Sequence, residues 1–262
     1  MRKESKKQEA ITSIFQHVYQ EGKKPLEFDN NLVKQVTGGK FSNQFEATKF
    51  DTSEILPPIL KDSDYFVVHL GQGRHRFVRG IGEGYHSFEP IPQANVKPWP
   101  YKKSVWNETT TGESAILSLC YNQMIMQDFL YDDIRAHPKI YFARRTKTSF
   151  DYFIGDQRIE VKNLQLEIDM TLEKDKVIVF FEAKNGLRSD FAVMQIYGPC
   201  RYCRNVAEER KLDVKGIRPI FVIRYVEQSQ TRVAFYEYTF DDITRPGSIR
   251  FVRNAQYNLT AR

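Results

Sequence analysis

The sequence predicts a mixed α and β protein: a mixed central sheet flanked by helices, with a smaller N-terminal region. Three observations predict it. In the second half, helical and strand patterns follow in the order helix, strands, helix, strands, which suits a sheet with helices packed against it. Residues Leu164 to Glu173 alternate apolar and polar without a break, the period-2 pattern of a strand. Finally, 262 residues that are 41% apolar and 27% charged can bury a core as a soluble globular chain.

Taken in order, Ile11, Ile14, Phe15 and Val18 recur at helical spacing and predict a helix over residues 1 to about 24. From Asp29 to Lys61 the pattern is weak, and Pro57-Pro58 closes it. Tyr65 to Val68 reads as a strand, Gly71-Gln72-Gly73 as a turn and Arg74 to Val78 as the returning strand. Pro90, Pro92, Pro98 and Pro100 suggest a boundary near residue 100, dividing the chain into a region 1–100 and a domain 101–262. Residues 111–131 predict one long helix, apolar on several sides through Ile116, Leu119, Cys120, Met124, Phe129 and Leu130. Strands are expected at Ser149–Ile154, Leu164–Leu172 and Val177–Ala183. A helix from about Asp190 to Lys211 follows, then strands at Arg218–Val226 and Arg232–Phe240.

Composition excludes some functions. The longest apolar run, Val177 to Phe181, is far too short to span a bilayer. The start, Met1-Arg2-Lys3-Glu4, is charged with no apolar stretch behind it, so no secretory signal is expected. Cys120, Cys200 and Cys203 are too few for a disulfide framework and fit a reducing cytoplasm. The lone pair Cys200-x-x-Cys203 lacks the further ligands of a zinc site or an iron–sulfur cluster, so buried structural thiols are expected. The net charge of +6 suits a polyanionic partner but does not identify one.

The alternating strand carries the chemistry. Gln165, Glu167, Asp169, Thr171 and Glu173 share its polar face. Lys174-Asp175 makes a tight turn, and the chain returns as Val177-Ile-Val-Phe-Phe-Glu182-Ala-Lys184. A short turn forces direct antiparallel pairing, which brings Asp169 near Glu182 on one face, with Lys184 one pleat further. Ile178 and Phe180 share that face, so the return strand is apolar on both sides, and a buried strand ending in two charges needs a reason for them. Two clustered carboxylates repel unless they share a proton or a cation. Hard oxygen ligands favour Mg²⁺. A lysine beside the ion can orient or help deprotonate a water, or stabilise charge on a phosphate.

Asp169, a 12-residue gap and Glu182-Ala183-Lys184 resemble the bipartite signature of the PD-(D/E)XK nuclease superfamily, with Ile168 in place of the motif's proline. The likeness covers roughly residues 110–240. Asp64-Tyr-Phe-Val-Val-His-Leu-Gly and Tyr85-His-Ser-Phe-Glu-Pro look like the amino-terminal part of some type II restriction endonucleases. The resemblance implies a restriction-endonuclease-like core, Mg²⁺ held by Asp169 and Glu182, and cleavage of double-stranded DNA at a short sequence. It also offers two further site residues, each with a plain structural alternative. Glu113 is either a third acidic group or the far end of a capping box over Thr110-Thr111-Gly112-Glu113. Gln195 either faces the metal or is a solvent-exposed glutamine.

Candidate DNA contacts are Arg74, His75, Arg76 and Arg79, and a second group, Arg144, Arg145 and Lys147; a solvated hairpin explains the first group equally simply. One cluster per chain hydrolyses one strand, so a homodimer, or two monomers acting one after the other on a palindrome, is the expected active species; the apolar face of the first helix is a candidate interface, or packs against its own domain. Rival readings are a structure-specific repair or recombination nuclease and a catalytically inert DNA-binding protein.

Overall fold

A computed structural model describes residues 5–20, 24–105 and 112–261. The N-terminal region opens with α1 (Lys6–Gln20), β1 (Glu27–Asp29), α2 (Asn30–Thr37), α3 (Gln44–Thr48) and α4 (Pro58–Asp62). It closes with β2 (Tyr65–Gly71) and β3 (Arg74–Arg79), and its strands pair in the order β1-β3-β2. α1 forms as its spacing predicts, but Ile11, Ile14, Phe15 and Val18 are buried in a core shared with Phe66 and Phe77. That face is consumed inside the chain, so the suggestion that it serves as a dimer interface is corrected.

The segment read as weakly patterned holds α2, α3 and α4. Helices this short show little periodicity, and their ends carry the signal instead. The Asp29 carboxylate accepts the Leu32 N–H at 2.9 Å, and Gly38 stops α2 in the left-handed region at φ 58°. Between β2 and β3, Gly71 packs so closely on the Lys162 carbonyl that a side chain would collide with it. This contact docks the hairpin onto the second half of the chain.

The second half adds β4 (Tyr85–Ser87), β5 (Val96–Tyr101), α5 (Glu113–Asn122) and α6 (Ile125–Tyr131). Next come β6 (Lys139–Ile154), β7 (Gln157–Lys174), β8 (Val177–Asn185), β9 (Asp190–Ala192) and α7 (Met194–Glu209). β10 (Gly216–Glu227), β11 (Gln230–Phe240) and β12 (Ile249–Ala261) complete it. Seven strands form one sheet in the order β5-β12-β11-β10-β8-β7-β6. β8–β10 and β5–β12 run parallel and the other pairs antiparallel, so the sheet is mixed, as expected. Pro98 and Pro100, which suggested a boundary, lie in β5 at the edge of this sheet, where a missing N–H is tolerated.

The single helix expected over 111–131 is two helices. Met124 sits at φ 60° between α5 and α6. The Trp99 indole N–H donates to the Gln123 carbonyl at 3.0 Å, and the Gln123 side chain brackets the Lys102 backbone at 3.1 and 3.0 Å. These contacts with β5 and its following loop hold the break in place. Residues 106–111 lie outside the described residues.

The β6–β7 hairpin ties the two regions together. Its register shifts between Thr148 and Phe150. Beyond the shift, Phe150, Tyr152, Ile154, Ile159 and Val161 join the N-terminal core. Burial alternates from Leu166 to Leu172 as expected, yet these residues serve two cores: Ile168 packs with Phe180 and Ile196, Met170 with Phe181 and Leu117. Cys200 and Cys203 on α7 are free thiols, the first buried and the second partly so. No helix among the described residues is long and apolar enough to cross a membrane.

Candidate active site

The site begins at a two-residue turn. Asp175 and Lys176 have φ 53° and 65°, which fits the strand twist of a tight hairpin and places the turn one residue later than expected. Pairing runs from Lys174–Val177 to Met170–Phe181. Extending that register sets Asp169 opposite Glu182, but the ladder ends there. Asp169 Oδ2 instead accepts the Ala183 N–H at 3.0 Å. β8 stays paired to β10 on its other side, with Glu182 beside Phe221 and Lys184 beside Ile223. The strands therefore part at the point where the acidic residues meet.

Lys184 is 5% exposed, and its Nζ lies 2.8 Å from both Glu182 and Glu113. Glu113 is the first residue of α5, and its N-cap is Gly112, which has no side chain to cap with. The capping-box alternative is thus corrected: Glu113 turns to Lys184 rather than back to the helix start. Thr110 and Thr111 lie outside the described residues. Gln195, near the start of α7, donates its Nε2–H to Glu182 Oε1 at 3.0 Å, so the reading as a solvent-exposed glutamine does not hold. Its Oε1 is buried and has no protein partner.

Burial pushes the Glu182 carboxyl up to about 7; Lys184 pulls it down, while Asp169 and Glu113 push it further up. Asp169 is also raised, by burial against the pull of the Ala183 N–H and Lys184. For Lys184, burial favours the neutral amine, but Glu182 and Glu113 outweigh it and raise the pKa. The two carboxylates therefore hold Lys184 as an ammonium, suited to charge stabilisation.

The donor set fits Mg²⁺. Among the described residues no three His, Cys, Asp or Glu side chains form a cage, but Mg²⁺ takes one or two carboxylates and keeps water for the rest. Asp169 and Glu182 would supply the carboxylates, and the orphaned Gln195 oxygen would offer an acceptor for a hydrating water.

More than half of the chain, residues 80–258, matches the family described as "Domain of unknown function (DUF6997)". The chain belongs to this family. The match spans every cluster residue: Glu113, Asp169, Glu182, Lys184 and Gln195. Residues 8–77 match a second description, "Domain of unknown function (DUF6996)". No curated protein and no solved structure matches significantly.

The DUF6997 cluster opens into a cleft of about 810 Å³, whose other wall comes from the DUF6996 segment. Of the candidate DNA contacts, Arg74, His75 and Lys147 line it. The first basic group does not act as one patch. Glu27 sits between Arg74, at 2.7 Å, and Arg76, whose Nε donates to it at 3.0 Å. Arg79 lies over the Tyr65 ring at 5.2 Å and borders a separate hollow with Tyr19. His75 is corrected as a phosphate grip. It is 2% exposed, bonded to His69 at 2.8 Å and Asn30 at 2.9 Å, and burial lowers it to about 4, so it is neutral. In the second group, Arg145 pairs with Glu167 at 3.1 Å and Arg144 lies 5.8 Å over Tyr202, which leaves Lys147 at the cleft. Asn43, Phe45, Lys49, His69 and Gln72 also line the cleft and escaped the sequence reading, because only long-range folding brings them there.

Proposed function

We propose that this protein is a Mg²⁺-dependent endonuclease acting on double-stranded DNA, probed best as a site-specific, type II restriction activity. One observation carries the reading: three carboxyls, Asp169, Glu182 and Glu113, gather around one buried ammonium where two strands part, on the wall of an open cleft. Asp169 and Glu182 would hold the ion. When bound, Mg²⁺ supplies a Lewis acid against phosphate oxygens. Lys184, fixed by Glu182 and Glu113, presents positive charge to a phosphodiester as charge builds in the transition state. Gln195 holds the Glu182 carboxyl in orientation. Lys147 on the cleft wall offers a phosphate contact. Free, largely buried thiols suit a reducing cytoplasm.

The test is incubation of phage DNA with the protein and Mg²⁺, with an EDTA arm. Discrete fragments that disappear in EDTA support the reading. A smear would replace the site-specific part with a nonspecific nuclease, and intact DNA that is nevertheless bound would replace the enzyme with a binding protein. One chain carries one such cluster, so cutting both strands takes a homodimer or two visits. Supercoiled plasmid should linearise with little nicked intermediate if two copies act together.

A further inference from the structure

The N-terminal elements follow in the order α1, β1, α2, α3, α4, β2, β3, and the strands pair antiparallel in the order β1-β3-β2. Ile11 of α1, Val33 of α2 and Ala47 of α3 are all fully buried in one core with Phe66 of β2 and Phe77 of β3. α2 ends at Gly38 and Gly39, at φ 58° and 73°. α3 restarts six residues later, with Asn43 Oδ1 accepting the Phe45 N–H at 3.1 Å. α2 and the five-residue α3 are thus two short helices joined by a turn and packed on α1, with the β2–β3 hairpin in the same small domain.

We propose that the turn-and-α3 segment and the β2–β3 turn form a base-reading surface for duplex DNA, with Asn43, Phe45, Gln72 and Arg74 as its specificity-determining residues. The inference rests on the nuclease reading for the position of the cut strand, and deepens it by naming what selects the site. Two further observations support it. First, all four residues line the cleft that holds Asp169, Glu182 and Lys184, so a duplex seated at the acidic cluster passes directly over them. Second, Phe45 departs from most phenylalanines of this region. Phe28, Phe50, Phe66 and Phe77 are at most 6% exposed, whereas Phe45 is 38% exposed, with its ring 4.5 Å from that of His69. An aromatic held outside the core, in a cleft that the Asn43 and Gln72 amides also line, suits apolar contact and hydrogen bonding to base edges. Lys49 and Lys147 line the same cleft and match a phosphate backbone in charge. A helix and a tight hairpin both fit a duplex groove.

The test uses the full chain in EDTA, so that binding is read without cleavage. A randomised duplex library is selected on the wild type, on Phe45→Ala and on Gln72→Asn, the bound pools are sequenced, and affinities are measured by anisotropy. Both side chains are exposed, and thermal melts check that each variant folds. The wild type is expected to enrich a short consensus. Each variant should lose at least one of its positions and bind the selected duplex about tenfold or more weakly, with binding to unselected duplex unchanged. Variants that enrich the same consensus at the same affinity overturn the proposal, as does a wild type that enriches nothing or prefers duplex RNA. A wild type that enriches a consensus lost by the variants, yet leaves it uncut when Mg²⁺ is added, supports this inference and sinks the nuclease reading. Site-specific cutting that the variants leave unaltered does the reverse.

Discussion

Two buried glutamates on the same sheet meet opposite fates. Glu237 of β11 is 5% exposed and sits between two arginines: Arg218 donates from Nε and Nη2 at 2.6 and 2.8 Å, and Arg253 from Nε at 2.8 Å. Burial favours its neutral form, but these hydrogen bonds outweigh it and hold the carboxyl below its usual range. Glu182 of β8 is also largely buried, yet its carboxyl is pushed up to about 7. The difference lies in the company. One carboxylate with two cations is satisfied by the protein alone. Three carboxyls around one ammonium leave negative charge that the protein's own cations do not balance, and a shared proton or a bound cation would compensate it. Perturbed groups beside a cleft mark functional sites more often than paired ones do.

The sharpest way to break this comparison is by activity. Asp169→Ala, Glu182→Ala and Lys184→Ala should each lower Mg²⁺-dependent cleavage by about 10²-fold or more while the protein stays folded. Gln195→Ala, which acts through Glu182, should lower it by about 10- to 100-fold. Glu237→Gln should leave the activity of the folded fraction intact. Plasmid cleavage time courses check all five, and a Glu182→Ala enzyme with near wild-type rate would dissolve the contrast.

Stability should respond in the opposite sense. Removing the carboxylate of Glu237 leaves the half-exposed Arg218 and Arg253 without their counter-charge, so Glu237→Gln should cost about 1–3 kcal/mol in urea unfolding. Glu182→Gln relieves an unfavourable buried charge and should raise stability at pH 8 without metal.

The pH dependence follows from the same two groups. The folded pKa of Glu182, about 7, lies above its ordinary value of 4.5, so its ionisation costs stability progressively as pH rises between those values, and the cost stays constant above pH 7. Glu237 is lowered from 4.5, so its contribution is present above that value and is lost as pH falls through its folded pKa. Metal-free stability of Glu182→Gln should therefore fall less than wild type from pH 5 to 7. Parallel curves for the two proteins would remove Glu182 from the explanation.

The smallest effect concerns DNA affinity. Lys147→Ala should lower the salt slope of binding by about one unit, and Arg76→Gln should leave it unchanged, because Glu27 already occupies that guanidinium. Equal slopes for Lys147→Ala and wild type would move the phosphate contact elsewhere.

By itself, the sequence determined the parts governed by neighbours along the chain. Period-2 alternation and a short polar turn place Asp169 across from Glu182 and Lys184 on the same strand face, and parity survives even though the turn falls one residue later than read. α1, the β2–β3 hairpin and the mixed sheet were legible for the same reason. Tertiary structure decided what depends on distant partners. Glu113 meets Lys184, which lies 71 positions further along the chain, rather than capping its own helix. Trp99 holds the break between α5 and α6, Glu27 ties up Arg76 while pairing with one end of the exposed Arg74, and burial against His69 keeps His75 neutral. Periodicity encodes which way a side chain faces, because backbone geometry repeats locally. Which charge it meets, and whether water reaches it, depends on segments that become neighbours only when the chain is packed.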